Sequence, residues 1–313
     1  MARYGEDLDA KIRSVREQIA ALDRKRSVLF ELLKKLEAQT AKEDPPARLA
    51  ETRAVYRANA ISEGDIRLFM RLFRGRTDVF PQRWESHSGR SGYSPACKNE
   101  WVRGVCRKPK VKCAECDARE FVPLTPDVLR KHLLGQITIG VYPLLTDETC
   151  AFLAADFDKE DWMDDVTAFR DTCRKRHIEC GVERSRSGQG AHVWFFFEKP
   201  IAARLARRFG CALLTETMER RHQIGLDSYD RFFPSQDTLP KGGFGNLIAL
   251  PLQAGAAKQG NSLFVDSNFG PYPDQWKFLK SLTPLSLSQV QSIEEEAARN
   301  GRIVGVRMSL GAC

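Results

Sequence analysis

The sequence predicts an α+β domain in which a small sheet is backed by helices, and three observations predict it. A continuous apolar run, Phe152-Leu-Ala-Ala-Asp156-Phe-Asp158, reads as a buried strand ending in carboxylates. A second apolar run, His192-Val-Trp-Phe-Phe-Phe197, follows a tight Ser187-Gly-Gln-Gly190 turn. Trp162 to His177 and Ala202 to Arg221 carry the apolar spacing of amphipathic helices. The order strand, helix, hairpin, helix, strand is an α+β pattern.

From the N-terminus, Leu8, Ile12, Val15, Ile19, Leu22, Leu29, Leu33 and Leu36 recur at alternating four- and three-residue steps, with Arg26 in the one polar slot. This heptad seam predicts a coiled-coil-like helix over residues 1–40. Self-association, a folded-back hairpin and packing on the rest of the chain are its three alternatives. Residues 41–60 read as a linker, because Glu43-Asp-Pro-Pro46 breaks a helix and stiffens the chain. Residues 61–135 read as a helical and cysteine-bearing region. It holds a helix over Ser62 to Phe73, an extended piece over Arg76 to Trp84, and a helix over Thr125 to Leu134 capped by Thr125 with Pro126 in its first turn. Residues 136–285 form the predicted core, in which Gln136 to Leu145 is a strand feeding the strand Cys150 to Asp158, and Asp274 to Lys280 is helical. Residues 286–313 predict a closing helix, Leu287 to Arg299, and a strand, Arg302 to Met308.

Composition narrows the function classes. The chain has 313 residues, a formal charge of +8 and a pI near 9.0, a balance that favours a polyanionic partner. No run approaches the roughly twenty apolar residues of a membrane span. No G-x-x-x-x-G-K-[ST] run occurs, so ATP-driven unwinding by this chain is not expected. Nine cysteines behind no secretory leader suit a reducing cytoplasm, where localisation is expected.

Chemistry gathers at the ends of the two apolar runs. Side chains alternate along a strand, so Asp156 and Asp158 share one face while Phe157 turns into the core. Hard carboxylate oxygens suit Mg²⁺ or Mn²⁺, and a two-metal site needs them to bridge ions roughly 4 Å apart. Ser187, Gly188 and Gly190 form a turn whose backbone N–H groups suit a phosphate, and His192 opens the following strand on the same face as Trp194 and Phe196. A cation site beside an anion site is the layout for gripping a nucleoside triphosphate. Taken singly, each piece also has a plainer reading: solvated loop carboxylates, an ordinary hairpin, a hydrogen-bonded structural histidine.

Cys97, Cys106, Cys113 and Cys116 place four thiols within twenty residues, ending in C-x-x-C. That spacing predicts one structural Zn²⁺, with an iron–sulfur cluster as the alternative. The intervening loop is Gly- and Lys-rich and has little apolar content to fold around without metal. Arg90, Lys98, Arg103, Lys108 and Lys110, interleaved with Tyr93 and Trp101, form the expected nucleic-acid-binding surface; a merely solvated loop is the plainer reading.

The order hydrophobic-Asp-x-Asp, Ser-Gly-x-Gly-x-His, hydrophobic-Asp resembles the three motifs of the archaeo-eukaryotic primase superfamily, the primase-polymerases. The third motif is placed at Leu226-Asp227, followed by the apolar Asn246-Leu-Ile-Ala-Leu-Pro251. The stretch from Phe73 to Phe264 is similar to the primase domain of TOTE conflict systems and to CRISPR-associated primase-polymerases. That closer match rests on Arg90-Ser-Gly-Tyr-Ser-Pro-Ala-Cys97-Lys-Asn-Glu-Trp101, Glu183-Arg-Ser-Arg-Ser-Gly-Gln-Gly-Ala-His-Val-Trp194 and Asp237-Thr-Leu-Pro-Lys-Gly-Gly-Phe-Gly-Asn246, beside the Asp-x-Asp strand. The resemblance implies an RRM-like mixed or antiparallel sheet backed by helices. It further implies two catalytic Mg²⁺ or Mn²⁺ ions on Asp156, Asp158 and Asp227, with Ser187 and His192 on the triphosphate. Arg184, Arg186, Lys241 and Lys258 are candidate phosphate neutralisers. Asp230, Asp237 and Asp266 compete with Asp227 for the third carboxylate.

The function so implied is a template-dependent DNA or RNA primase-polymerase, a nucleotidyltransferase using nucleoside triphosphates on a single-stranded or primed template. Helicase, nuclease or CRISPR adaptation proteins are its implied partners. The alternatives are a gap-filling repair polymerase of the ligase-D type and a non-catalytic single-stranded DNA-binding module.

Overall fold

The computed structural model describes residues 61–302 apart from 87, 221–225 and 227, together with the helical, exposed positions Lys11, Ser14, Gln18 and Lys25. The heptad positions, the linker, Asp227 and the predicted strand beyond Arg302 lie outside the described residues. Residues 54–313 form one unit, which contains all the helices and strands from Glu63 onward.

The chain opens with α1 (Glu63–Leu72), set by a capping box in which Ser62 accepts from the Asp65 N–H and Asp65 from the Ser62 N–H. A hairpin of β1 (Pro81–Glu85) and β2 (Ser91–Pro95) leads into the cysteine loop. Next comes α2 (Pro126–Leu133), capped by Thr125 as its sequence requires. β3 (Gly140–Val141) then precedes the central elements: β4 (Thr149–Asp158), α3 (Trp162–Lys175), β5 (Gly181–Arg184), β6 (Gly190–Ala202), α4 (Ala203–Arg220) and β7 (Tyr229–Phe233). The chain continues through β8 (Ile248–Ala249), α5 (Ala254–Ala257), α6 (Gln275–Ser281) and α7 (Leu287–Arg299).

The central sheet has the order β5-β6-β4-β7 with every neighbour antiparallel. A β-α-β-β-α-β chain with the first strand beside the third and fourth is the ferredoxin-like arrangement of an RRM. The fold is therefore α+β, with an antiparallel central sheet. The predicted strand over Gln136 to Leu145 shrinks to two residues. Gln136 N–H turns back to Lys131 O; Gly140 and Val141 pair with β8, and Ile139 makes only an isolated bridge to Gln82 of β1.

Both faces of the sheet are covered, which is why β4 reads as an unbroken apolar run rather than an alternating one. Leu153, Ala155 and Phe157 with Val193 and Phe195 pack against Phe169 of α3 and Phe209 of α4. On the other face, Phe152, Ala154, Trp194 and Phe196 pack against α1 and α2. Phe73 is the hub of that second core, with ring centroids 4.9 Å from Trp194 and 5.2 Å from Phe196. The second face changes character along β4: apolar at Phe152 and Ala154, acidic at Asp156 and Asp158. Among the described residues, no helix is long and apolar enough to cross a membrane.

His132 ties α2 to the strand after the sheet. Its Nδ1 accepts from the Ile139 N–H at 3.1 Å, so Nε2 carries the proton and donates to Pro251 O at 3.1 Å. A second proton has no place on a ring facing an N–H donor, and full burial lowers its pKa to about 4. Between that value and the ordinary 6.5 the unfolded chain binds a proton the folded chain refuses. The stability is therefore complete above pH 6.5 and lost as pH falls towards 4, by about 3 kcal/mol over the window. Urea unfolding at pH 7 and pH 4.5 is expected to show a smaller acid loss in His132→Gln than in the parent; equal losses contradict this.

Candidate active site

One transverse row of the sheet carries the site. Glu183 on β5 pairs with His192 on β6, His192 with Asp156 on β4, and Asp156 with Arg231 on β7. Directly opposed residues share a face, so four charged or titratable side chains line up across four strands on the face continuing from Trp194. One step along β4, Asp158 faces Gly190. The imidazole lies between two acids, with Nδ1 2.7 Å from Glu183 Oε2 and Nε2 3.5 Å from Asp156 Oδ1. Glu183 also accepts from the Trp194 indole N–H at 3.2 Å.

Asp230 joins through a break in the pleat. Phe157 pairs with Tyr229 and Asp156 with Arg231, which leaves Asp230 as an extra, unpaired residue in β7. Such a bulge re-aims a side chain that regular alternation would send to the other face. Oxygens of Asp156, Asp158 and Asp230 all lie within 4.8 Å of one another. The start of β7 is latched beside them: Asp158 N–H donates to Ser228 O at 2.7 Å, and the Ser228 backbone N–H and hydroxyl both donate to buried Asp165 of α3.

Burial pushes the Asp156 carboxyl up to about 6, His192 opposing and Asp158 and Asp230 adding to the rise. Burial disfavours charge on His192 too, yet Glu183, Asp156 and Asp158 outweigh it and lift the imidazole to about 9. Three converging carboxylates, one of them buried and all of them repelling one another, fit a hard divalent cation.

Gly190 lets Asp158 close on this site. A Cβ there would sit 2.4 Å from Asp158 Oδ1 and 2.4 Å from Phe157 O. Gly190→Ala must shift the carboxylate or part the strands; a displacement near 1 Å costs about 100-fold in rate. We expect that loss together with weaker Mn²⁺ binding by calorimetry, and unchanged Mn²⁺ affinity would contradict it.

The Ser187–Gly190 turn is internally braced: Gly188 N–H donates to Ser185 O and Gln189 N–H to the Ser187 hydroxyl, which engages one of the predicted phosphate donors, the Gly188 N–H. Asn261, which sequence reasoning missed, packs against Gly188, where a Cβ would lie 2.6 Å from its Oδ1. Arg186 lies near the Tyr93 hydroxyl, which also lies near Glu183. Arg184 does not: alternation sends it to the other face, over the Trp162 ring with its guanidinium donating to Phe269 O at 3.2 Å. Lys258 is exposed on the segment that carries Asn261. Lys241 is exposed beside the cysteine loop, next to Gly242 against Ala114. Of the rival carboxylates, Asp237 pairs with Arg207, and Asp266 accepts the Asn268 and Gly270 N–H groups of its own turn.

Cys97, Cys106, Cys113 and Cys116 line one small cavity. Backbone N–H groups of Lys108 and Trp101 point at the Cys106 sulfur and lower its pKa, and Glu120 N–H donates to Cys97 Sγ at 3.4 Å. Among the described residues, the aspartate triad alone gathers donor atoms within 4.8 Å, so the thiols share a cavity without closing to that spacing. Around them Arg90, Arg103 and Lys110 are exposed and Trp101 is 70% exposed. Lys98 is ion-paired with Glu120 and Lys108 with Glu100, and Tyr93 is half-buried.

An RRM-like sheet with carboxylates, a histidine and a glycine turn at one end defines the primase-polymerase class of nucleotidyl-transferring domains. The chain belongs to the archaeo-eukaryotic primase domain family of TOTE conflict systems, which matches residues 64–293. Comparison with curated proteins gives no match. Among solved structures, the chain is similar to the polymerase domain of Mycobacterium tuberculosis ligase D in complex with DNA. The identity is 11% and the TM-score 0.36, over 82% of this chain and 89% of that one.

Proposed function

We propose that this chain is a template-dependent primase-polymerase that joins nucleotides by two-metal nucleotidyl transfer and releases pyrophosphate. The observation that carries the reading is the convergence of Asp156, Asp158 and Asp230 beside His192 on one face of the sheet. Asp156, Asp158 and Asp230 would hold Mg²⁺ or Mn²⁺. Asp230 takes the role expected of Asp227. Cations held there would supply charge neutralisation for the triphosphate and Lewis acidity for the attacking hydroxyl. The chain's own residues do the positioning. His192 presents Nε2 on the carboxylate side, where a proton-bearing nitrogen hydrogen-bonds a phosphate oxygen, and Ser187 and Arg186 border the same turn. A 3′-hydroxyl would then lose its proton to solvent water as its oxygen bonds to the α-phosphorus, while the α–β bridging bond breaks and its electron pair leaves with pyrophosphate.

For the cysteine loop we propose one structural Zn²⁺, supported by four thiols in one cavity and by N–H donors aimed at Cys106 and Cys97. Exposed Trp101 with Arg90, Arg103 and Lys110 supports a template surface, where bases stack and phosphates are neutralised.

The test is incorporation of labelled nucleotides by the full chain with Mg²⁺ or Mn²⁺ on bare single strands, primed templates and gapped duplexes. Incorporation is expected on bare or primed strands and is lost in Asp156→Ala/Asp158→Ala with DNA binding retained. Full activity in that double variant overturns the assignment, and activity confined to gapped, 5′-phosphorylated duplex overturns the primase role.

A further inference from the structure

His192 is held from behind by an acid to which the sequence reading assigns no role. Glu183 sits on β5 directly across from it and is 2% exposed, so its carboxylate has no water to lean on. A buried carboxylate persists only where donors satisfy it. Among the described residues they are two: the His192 Nδ1–H at 2.7 Å and the Trp194 Nε1–H at 3.2 Å, both on the same oxygen. Trp194 is itself fully buried in the second core. A carboxylate only accepts, so the contact dictates that Nδ1 bears a proton. It also sets the ring plane, leaving Nε2 as the nitrogen that faces Asp156 and the mouth of the site. An acid behind a functional imidazole fixes which nitrogen works and where it points.

We infer that Glu183 is the positioning residue for His192: anchored by the core tryptophan, it orients the imidazole so that Nε2 meets the triphosphate of the incoming nucleotide. Glu183 touches neither phosphate nor cation in this role and acts only through the ring. The triphosphate rests on the primase-polymerase reading; the orientation of the ring does not.

A double-mutant cycle and a metal-free measurement separate the two. Glu183→Gln keeps the shape of the side chain and removes its charge. It is expected to lower kcat/KM for nucleotide roughly 10- to 100-fold in the parent background, mainly through KM, and less than about twofold in a His192→Ala background. Equal losses in both backgrounds mark a merely structural acid and overturn the inference.

Two-bond ¹H–¹⁵N spectra of the metal-free full chain supply the second readout. The His192 resonances are identified among five histidines by their loss in His192→Asn. Nδ1 is expected to be protonated and protected from solvent exchange in the parent, with protection lost in Glu183→Gln. A bare Nδ1 in the parent overturns the inference without any Glu183 variant having to fold. A protected Nδ1 in a chain that incorporates no nucleotide upholds the orientation and sinks the polymerase reading alone.

Discussion

Asp230→Ala is expected to abolish nucleotide incorporation as completely as Asp156→Ala does, by at least about 1,000-fold, or about 4 kcal/mol of transition-state stabilisation. Asp156, Asp158 and Asp230 form a single oxygen cage, so removing any member leaves the others to hold a cation that none holds alone. The losses should be strongly non-additive: once Asp156 is gone, removing Asp230 costs little more, as for groups acting as a unit. Asp237→Asn is the control, because that carboxylate is spent on Arg207. Steady-state incorporation on a primed template compares the parent with the two single variants, the double variant and the control. Retention of more than a tenth of parental activity in Asp230→Ala would remove it from the cation site, and a collapse in Asp237→Asn would point to a different third ligand.

The second large effect lies in the cysteine loop. Elemental analysis of the purified chain is expected to give one zinc, falling towards zero in Cys113→Ser and Cys116→Ser. Structural zinc contributes about 10–16 kcal/mol to small sites of this kind, far more than the loop's own packing can replace. Nearly all of Trp101 to Lys112 is exposed or half-exposed, and neither hydrophobic core includes any of it. Loss of metal should therefore melt the loop and spare the sheet. Limited trypsin digestion should cut at Arg103, Arg107 or Lys110 in the variants, while the thermal midpoint of the domain moves by only a few degrees. Iron in place of zinc would favour a cluster, and a metal-free chain with a protease-resistant loop would contradict the site altogether.

Much of the fold was legible because local chemistry and tertiary structure agree. Ser62 and Thr125 cap the helices that their sequences announce, and the apolar run in β4 is unbroken because both faces of the sheet are covered. Asp156, Asp158 and His192 were legible for the same reason: alternation along a regular strand fixes their face, and cross-strand register then brings them together.

The parts that were less legible share a cause. Asp230 reaches the site only through a bulge, and a bulge is set by a partner strand that the sequence does not display. Arg184 reads as a phosphate ligand by its nearness to Ser187, yet one step of alternation puts it over Trp162. Glu183, Asn261 and the Asp165–Ser228 latch take their meaning from residues distant in sequence. The strand expected over Gln136 to Leu145 had the composition but a continuous ladder over only two residues, with one isolated bridge beside it.

The central claim is that Asp156, Asp158, Asp230 and His192 form one pocket where cations and a triphosphate meet. Anomalous diffraction from a crystal of the full chain with Mn²⁺ and a non-hydrolysable nucleoside triphosphate tests it most directly. The account predicts manganese density among the three carboxylates, with a phosphate oxygen in hydrogen-bond reach of His192 Nε2. Manganese elsewhere, or a triphosphate bound on a face of the sheet that His192 does not reach, would contradict it.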